Sequence, residues 1–203
     1  ASVMLLNACT DLDIAVESEL TPENFPTSPE HFEAAKGPIY SNLPSGYAID
    51  YWRLQSLATD EVLIPARGGN WDDGGQYREL HKHTWTVDHV IVKTIWEYGF
   101  KGISSCNQIL TMFDAVPEGD LKNQQFAEIR MMRAFYYFLM LDNFGNVPIL
   151  EKFGDDTPTS SRADVFAFIE SEILEILPWL PEEKHRRRPL PASPAVARLG
   201  SGA

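Results

Sequence analysis

Basic charge is scarce in this sequence. Lys and Arg total 17 against 29 Asp and Glu, a net charge of −12. Phosphate binding is driven by Lys/Arg clusters that release counterions, so the deficit argues against nucleic acid as a partner. It also disfavours docking of the folded body on anionic lipid, and leaves neutral ligands open. Long apolar runs are missing as well: no stretch approaches the roughly 20 apolar residues needed to span a bilayer. Ala1 to Ala8 is apolar but short and lacks a basic start, so it reads as the tail of a secretion signal. Catalytic signatures are absent in turn. There is no Ser or Cys nucleophile in a recognisable turn, no Gly-rich phosphate loop and no metal spacing with enough ligands. Carboxylates are plentiful, but nothing positions a glycosidase pair. The reading is a non-enzyme with no cofactor.

Only two cysteines occur. Cys106 lies inside a helical pattern, where a small buried hydrophobe is the default. Cys9 lies in an irregular N-terminus, which gives no reason to expect a Cys9–Cys106 disulfide. Leu6-Asn7-Ala8 before Cys9 resembles a bacterial lipobox, and the alternative is a structural cysteine after a remnant segment.

What is present is helical periodicity. Thr27-Ser28-Pro29-Glu30 supplies a hydroxyl cap, Pro at the first helical position and an early acid. Phe32, Ala35, Ile39 and Leu43 follow at helical spacing, and Pro44-Ser45-Gly46 closes a helix predicted over 29–43. A short helix over 50–58 carries Tyr51, Leu54 and Leu57. A long one over 87–114 aligns Ile91, Ile95, Tyr98, Gly102, Cys106, Ile109 and Phe113, with Gly99, Gly102 and Ser105 allowing a close neighbour. The segment 121–144 is apolar nearly all round from Ile129 to Leu141, so other helices must surround it. Arg130 and Arg133 are its charges there, and buried arginines need partners, with Glu97 or Glu128 as candidates. Gly145 and Pro148 end it. A last helix, 162–178, starts at the capping box Ser161 to Asp164. No segment shows sustained strand alternation, and the fold class is all-α.

Residues 59–85 break the pattern. Pro65, Gly68, Gly69, Gly74 and Gly75 punctuate a predicted loop that holds Trp71, Tyr77 and Trp85. A loop of about 25 residues is usually functional or disordered, and disordered segments rarely hold this many aromatics. Asn70-Trp71-Asp72-Asp73, with Arg67 and Tyr77 nearby, is the most ligand-like constellation. A sugar needs a flat apolar platform for its C–H face and planar donors or acceptors for its hydroxyls. The competing reading is a Trp that tacks the loop to the helices. His81 and His83 could chelate a metal with Asp72 or Asp73, but spacing places no third ligand and surface histidines are the simpler reading. Asp60-Glu61 is read as a helix-end acid cluster rather than a Ca²⁺ pair.

Three regions result: residues 1–27 (signal remnant, Cys9 and a polar tether), a helical domain over 28–183, and a basic, Pro-rich tail over 184–203 that is read as no part of the same evolved fold. The tail holds five Lys/Arg, no acid and three prolines, and it is expected to add no packed helix. The remaining 183 residues carry 12 basic against 29 acidic side chains, or −17.

Several segments line up in order with one known family. Cys9-Thr10-Asp11-Leu12-Asp13 resembles the start of mature SusD/RagB lipoproteins, and Ala34-Ala35-Lys36-Gly37-Pro38-Ile39-Tyr40 their first helix. Leu57 to Glu61 and Trp96 through Leu110 resemble the next landmarks. The most specific is Ala127 to Phe138, continued by Phe144-Gly145-Asn146-Val147-Pro148-Ile149. The resemblance implies tetratricopeptide-like helix pairs packed as an irregular right-handed superhelical scaffold. It also implies a surface-exposed lipoprotein of the outer membrane, held there only by a lipid on Cys9. Such a protein binds oligosaccharide, or less often peptide, and delivers it to a SusC-like TonB-dependent outer-membrane transporter. After Pro181 the family would continue into another helix, whereas Arg186-Arg187-Arg188-Pro189-Leu190-Pro191 stands here. That leaves an inactive truncated fragment as one alternative, and a helical-repeat protein–protein adaptor as another.

One acyl chain holds a protein on a membrane only marginally, whereas several hold it firmly. Replacing Cys9 with Ser in the precursor is therefore expected to release the protein from the outer membrane. Unchanged fractionation would remove the anchor from the account.

Overall fold

The computed structural model describes residues 28–114 and 116–181. The expectations for residues 1–27, including Cys9, and for the tail from 184 lie outside the described residues. The described residues form α-helices α1 (Pro29–Ala35), α2 (Gly37–Ser41), α3 (Leu43–Ser45), α4 (Trp52–Leu57), α5 (Gln76–His81), α6 (Val90–Phe113), α7 (Asp120–Phe144) and α8 (Arg162–Ile176). A π-helical turn joins α3 to α4, and 3-10 turns precede α5 and follow α8. Extended pairing among the described residues is confined to isolated bridges, Arg67 with Asn70 and Pro148 with Thr159. The all-α expectation holds. No helix of the described residues is long and apolar enough to cross a membrane.

Local signals set most helix ends. Ser28 Oγ accepts from the His31 N–H at 3.3 Å, with Pro29 opening α1. Ser161 Oγ accepts from the Asp164 N–H at 3.2 Å. Gly145 stops α7 with φ 74°, a left-handed conformation that glycine adopts without steric cost, and its N–H donates to Leu141 C=O at 3.0 Å. The expected stop at Pro44-Ser45-Gly46 does not occur. Pro44 sits in the first turn of α3, where a missing N–H is tolerated. Gly46 runs on through the π-helical turn Gly46–Tyr51 into α4. It is glycine for contact, because a Cβ there would lie within the Tyr98 ring.

The 59–85 loop is likewise corrected. Residues 76–81 form α5, entered through Gly75 at φ 89°. Its Tyr77 and Leu80 pack with Leu57 and Ile91 in a small core of their own.

The main core is the α6–α7 pair with α8 laid against α7. The α6 stripe is buried as expected. A Cβ at Gly99 would collide with Met140 Sδ, and one at Gly102 with the Tyr136 ring, so these glycines let the two helices touch. Nine residues of α7 are buried, although Met131 and Phe138 are exposed.

The partners expected for Arg130 and Arg133 are corrected. Glu128 instead binds Lys36 and the Tyr40 hydroxyl, and Glu97 faces Lys93. Both guanidiniums bind Glu172 of α8, each through Nη2 at 2.6 Å. Arg133 Nη1 also donates to Asn107 Oδ1 at 2.8 Å and Glu151 C=O at 2.9 Å. Asn107 Nδ2 in turn donates to Leu150 C=O at 2.8 Å.

Burial alone would raise the Glu172 carboxyl, but hydrogen bonds and charge from Arg130 and Arg133 hold it below the usual carboxylate range. A depressed folded pKa contributes stability that is present above the unfolded value, near 4.5, and lost as pH falls through the folded one. Glu172→Gln leaves two arginines facing a neutral amide. It is expected to cost about 3 kcal/mol at neutral pH, with the gap to the native chain narrowing in acid. Denaturant melts from pH 7 to pH 3 check this; parallel stability curves would contradict it.

Candidate functional site

The inward stripe of α4 and the turn before it, Tyr51, Leu54 and Leu57, leaves Trp52 turned to solvent, where it is 45% exposed. Downstream, Arg67 and Asn70 exchange two backbone hydrogen bonds of 2.9 and 3.1 Å, closing a tight turn through Gly68 at φ 64°. Trp71 leaves that turn at φ 60° with its side chain 58% exposed. Together these place the two indoles on one cleft of about 420 Å³, with Arg53, Arg67 and the apolar run Leu63-Ile64-Pro65 completing the wall. Arg53 is held by Asp50 at 3.2 Å and lies 5.7 Å from the centre of the Tyr77 ring. The arrangement offers flat apolar faces, aliphatic walls and two guanidinium donors, of which Arg53 is held in place.

The expected site residues divide. Trp71 and Arg67 share the cleft. Asp72 lines an adjoining hollow of about 100 Å³ with Trp71, and its Oδ1 accepts from Arg78 at 3.5 Å. Tyr77 was expected on an exposed surface and is corrected: it is 5% exposed, its ring packed in the α5 core, and it reaches only the floor of that small hollow. Asn70 and Asp73 are exposed, but line neither hollow. Asn70 contributes its backbone to the turn. His83 lies 5.3 Å from Trp85, and among the described residues no group of three or more His, Cys, Asp or Glu is placed to hold a metal.

Trp52, Arg53 and the Leu63-Ile64-Pro65 wall escaped the sequence reading. A signal for Trp52 was there: it is the aromatic off the Tyr51/Leu54/Leu57 stripe, hence on the outer face. The site segment is also strained, with Trp71, Asp73 and His83 all at left-handed φ (60°, 42° and 56°). Bulky residues hold that conformation only when their surroundings impose it, and such positions cluster at functional sites.

Residues 39–197 match the SusD-like family described as starch-binding and associating with the outer membrane. The matched stretch extends into the basic segment after Lys184. The chain is 28% identical over 135 residues to the starch-binding protein SusD of Bacteroides thetaiotaomicron, covering 65% of this chain and 23% of that protein. It is 25% identical over 201 residues to a SusD-like protein of Bacteroides ovatus, covering 92% and 35%. Its fold is similar to that of surface glycan-binding protein A from Bacteroides uniformis, with a TM-score of 0.65 at 19% identity over 78% of this chain and 36% of that one. The chain thus spans between 23% and 40% of the length of the curated relatives it matches.

Asn tolerates the left-handed conformation that Trp71 adopts under strain, and an indole more than half exposed gives up little packing. Trp71→Asn is expected to stabilise the fold by about 1 kcal/mol. A clear loss of stability in a denaturant titration would mean the indole packs as part of the core.

Proposed function

Because the chain belongs to the SusD-like family, we propose that it captures oligosaccharides and that the Trp52–Trp71 cleft is a surface on which they bind. The observation that carries this reading is the pair of exposed indoles on one cleft, flanked by Arg53 and Arg67. A pyranose presents an apolar C–H face and a rim of hydroxyls, and this cleft answers the first with indole and the second with guanidinium donors. The role is capture rather than turnover. The overall acidity of the chain, −12, suits a neutral ligand.

Family membership supports a place on the outer membrane and delivery of the sugar to a SusC-like TonB-dependent transporter. In this account a lipid on Cys9 is the attachment. The Asn70, Asp72 and Asp73 side chains serve the outer edge of the surface, within reach of a ligand that extends past Trp71.

Trp71→Ala and Trp52→Ala are each expected to weaken binding of glucan oligosaccharides about 2- to 10-fold, the range of one stacking platform. Calorimetry on the full chain with a panel of soluble α- and β-glucan oligosaccharides makes the measurement. Isotherms unchanged in both variants would move the site elsewhere.

A further inference from the structure

The 3-10 turn Leu177–Trp179 follows α8 and packs beside α7. Trp179 is 41% exposed and lines two clefts at once, of about 510 and 680 Å³. Neither shares a residue with the Trp52–Trp71 cleft. The larger is edged by Gln124, Gln125 and Glu128 of α7, Asp120 at the start of that helix, and Glu33 of α1. Glu33 and Glu128 are fixed in place by the buried ammonium of Lys36, and Glu128 also by Tyr40. Gln125 Oε1 is buried without a hydrogen-bond partner. An orphaned buried acceptor is costly and calls for an explanation, and this one belongs to a residue that lines the cleft. The carboxylates do not form a metal cage, since no suitable group of three exists among the described residues.

We propose that Trp179 is the platform of a second oligosaccharide subsite, with the Gln125 side chain turning its covered Oε1 outward to accept from a sugar hydroxyl. The indole face takes the C–H face of a pyranose, and Gln124, Asp120 and Glu128 present planar groups to its hydroxyls. Two open clefts meeting at one indole accommodate a chain of sugars passing over it. This proposal rests on the glycan-binding reading but uses different residues.

The test is ¹⁹F NMR of the full chain labelled with 5-fluorotryptophan, whose five tryptophans give five reporters. Maltohexaose and laminarihexaose serve as probes, in native, Trp71→Ala and Gln125→Met proteins. At least one probe is expected to shift the Trp179 resonance saturably, and to do so still in Trp71→Ala. Gln125→Met should weaken the Trp179 isotherm about 2- to 10-fold and leave that of Trp71 unchanged. Its melting midpoint should not fall, because the change removes an acceptor that lacks a partner. A Trp71 shift without a Trp179 shift would overturn the second subsite and leave the glycan reading standing. If neither resonance moves with either probe, both readings fail.

Discussion

Glu172 is a carboxylate of α8 that is almost wholly withdrawn from water, clamped between two guanidiniums of α7. Burying the Arg133–Glu172 pair, with Arg130 half-buried beside it, is expensive, and apolar side chains of the same volume would hold the helices together as well or better. What the cluster adds is register. Arg133 reaches α8, Asn107 of α6 and the carbonyl of Glu151 at once, and Asn107 holds the neighbouring carbonyl of Leu150. A slip of any element by one turn would strand a buried charge. The α6–α7 pair, the 145–161 connection and α8 are therefore fixed as one unit. Trp179, one turn past the end of α8, is carried by that unit.

Steric fit supplies the second constraint. Gly99 and Gly102 bring α7 onto α6, and Gly46 brings the first helical run onto Tyr98. That run then places α4 against α5 through Leu57, Tyr77 and Leu80. His89, just before α6, contacts the Gln76 carbonyl at 3.0 Å and ties the entry of α5 to the long helix. The Trp52–Trp71 cleft thus stands on packed helices on one side and a two-bond turn on the other. With the backbone held this way, each indole has only two side-chain torsions to order on binding.

Features with local causes were legible in the sequence. Ser28, Ser161 and Gly145 act within four residues of their targets, and the α6 stripe is a matter of spacing alone. Gly46 shows the limit of that kind of reading. A Pro-Ser-Gly string is a sound stop signal, yet here the glycine answers a ring 52 residues away in sequence, Tyr98. The partner of Arg133 is Glu172 on another helix, 39 residues off, and spacing alone does not separate it from Glu97 or Glu128, which pair elsewhere. Tyr77 was misplaced because four glycines upstream masked a helix of only six residues. Trp71, which lines the cleft, stands out in the sequence as a tryptophan in a glycine-dense stretch, whereas Trp52 sits among the residues of a short amphipathic helix.

These features make the described residues a packed helical body with aromatic surfaces at its edges, and sugar capture is the function they support best. The most direct measurement is a crystal structure of the full chain soaked with the tightest-binding oligosaccharide of a glucan panel. A pyranose ring is expected to stack on the Trp71 indole, with hydroxyls within hydrogen-bond distance of the Arg53 or Arg67 guanidinium. Sugar bound elsewhere while the Trp52–Trp71 cleft stays empty at saturating ligand would contradict it.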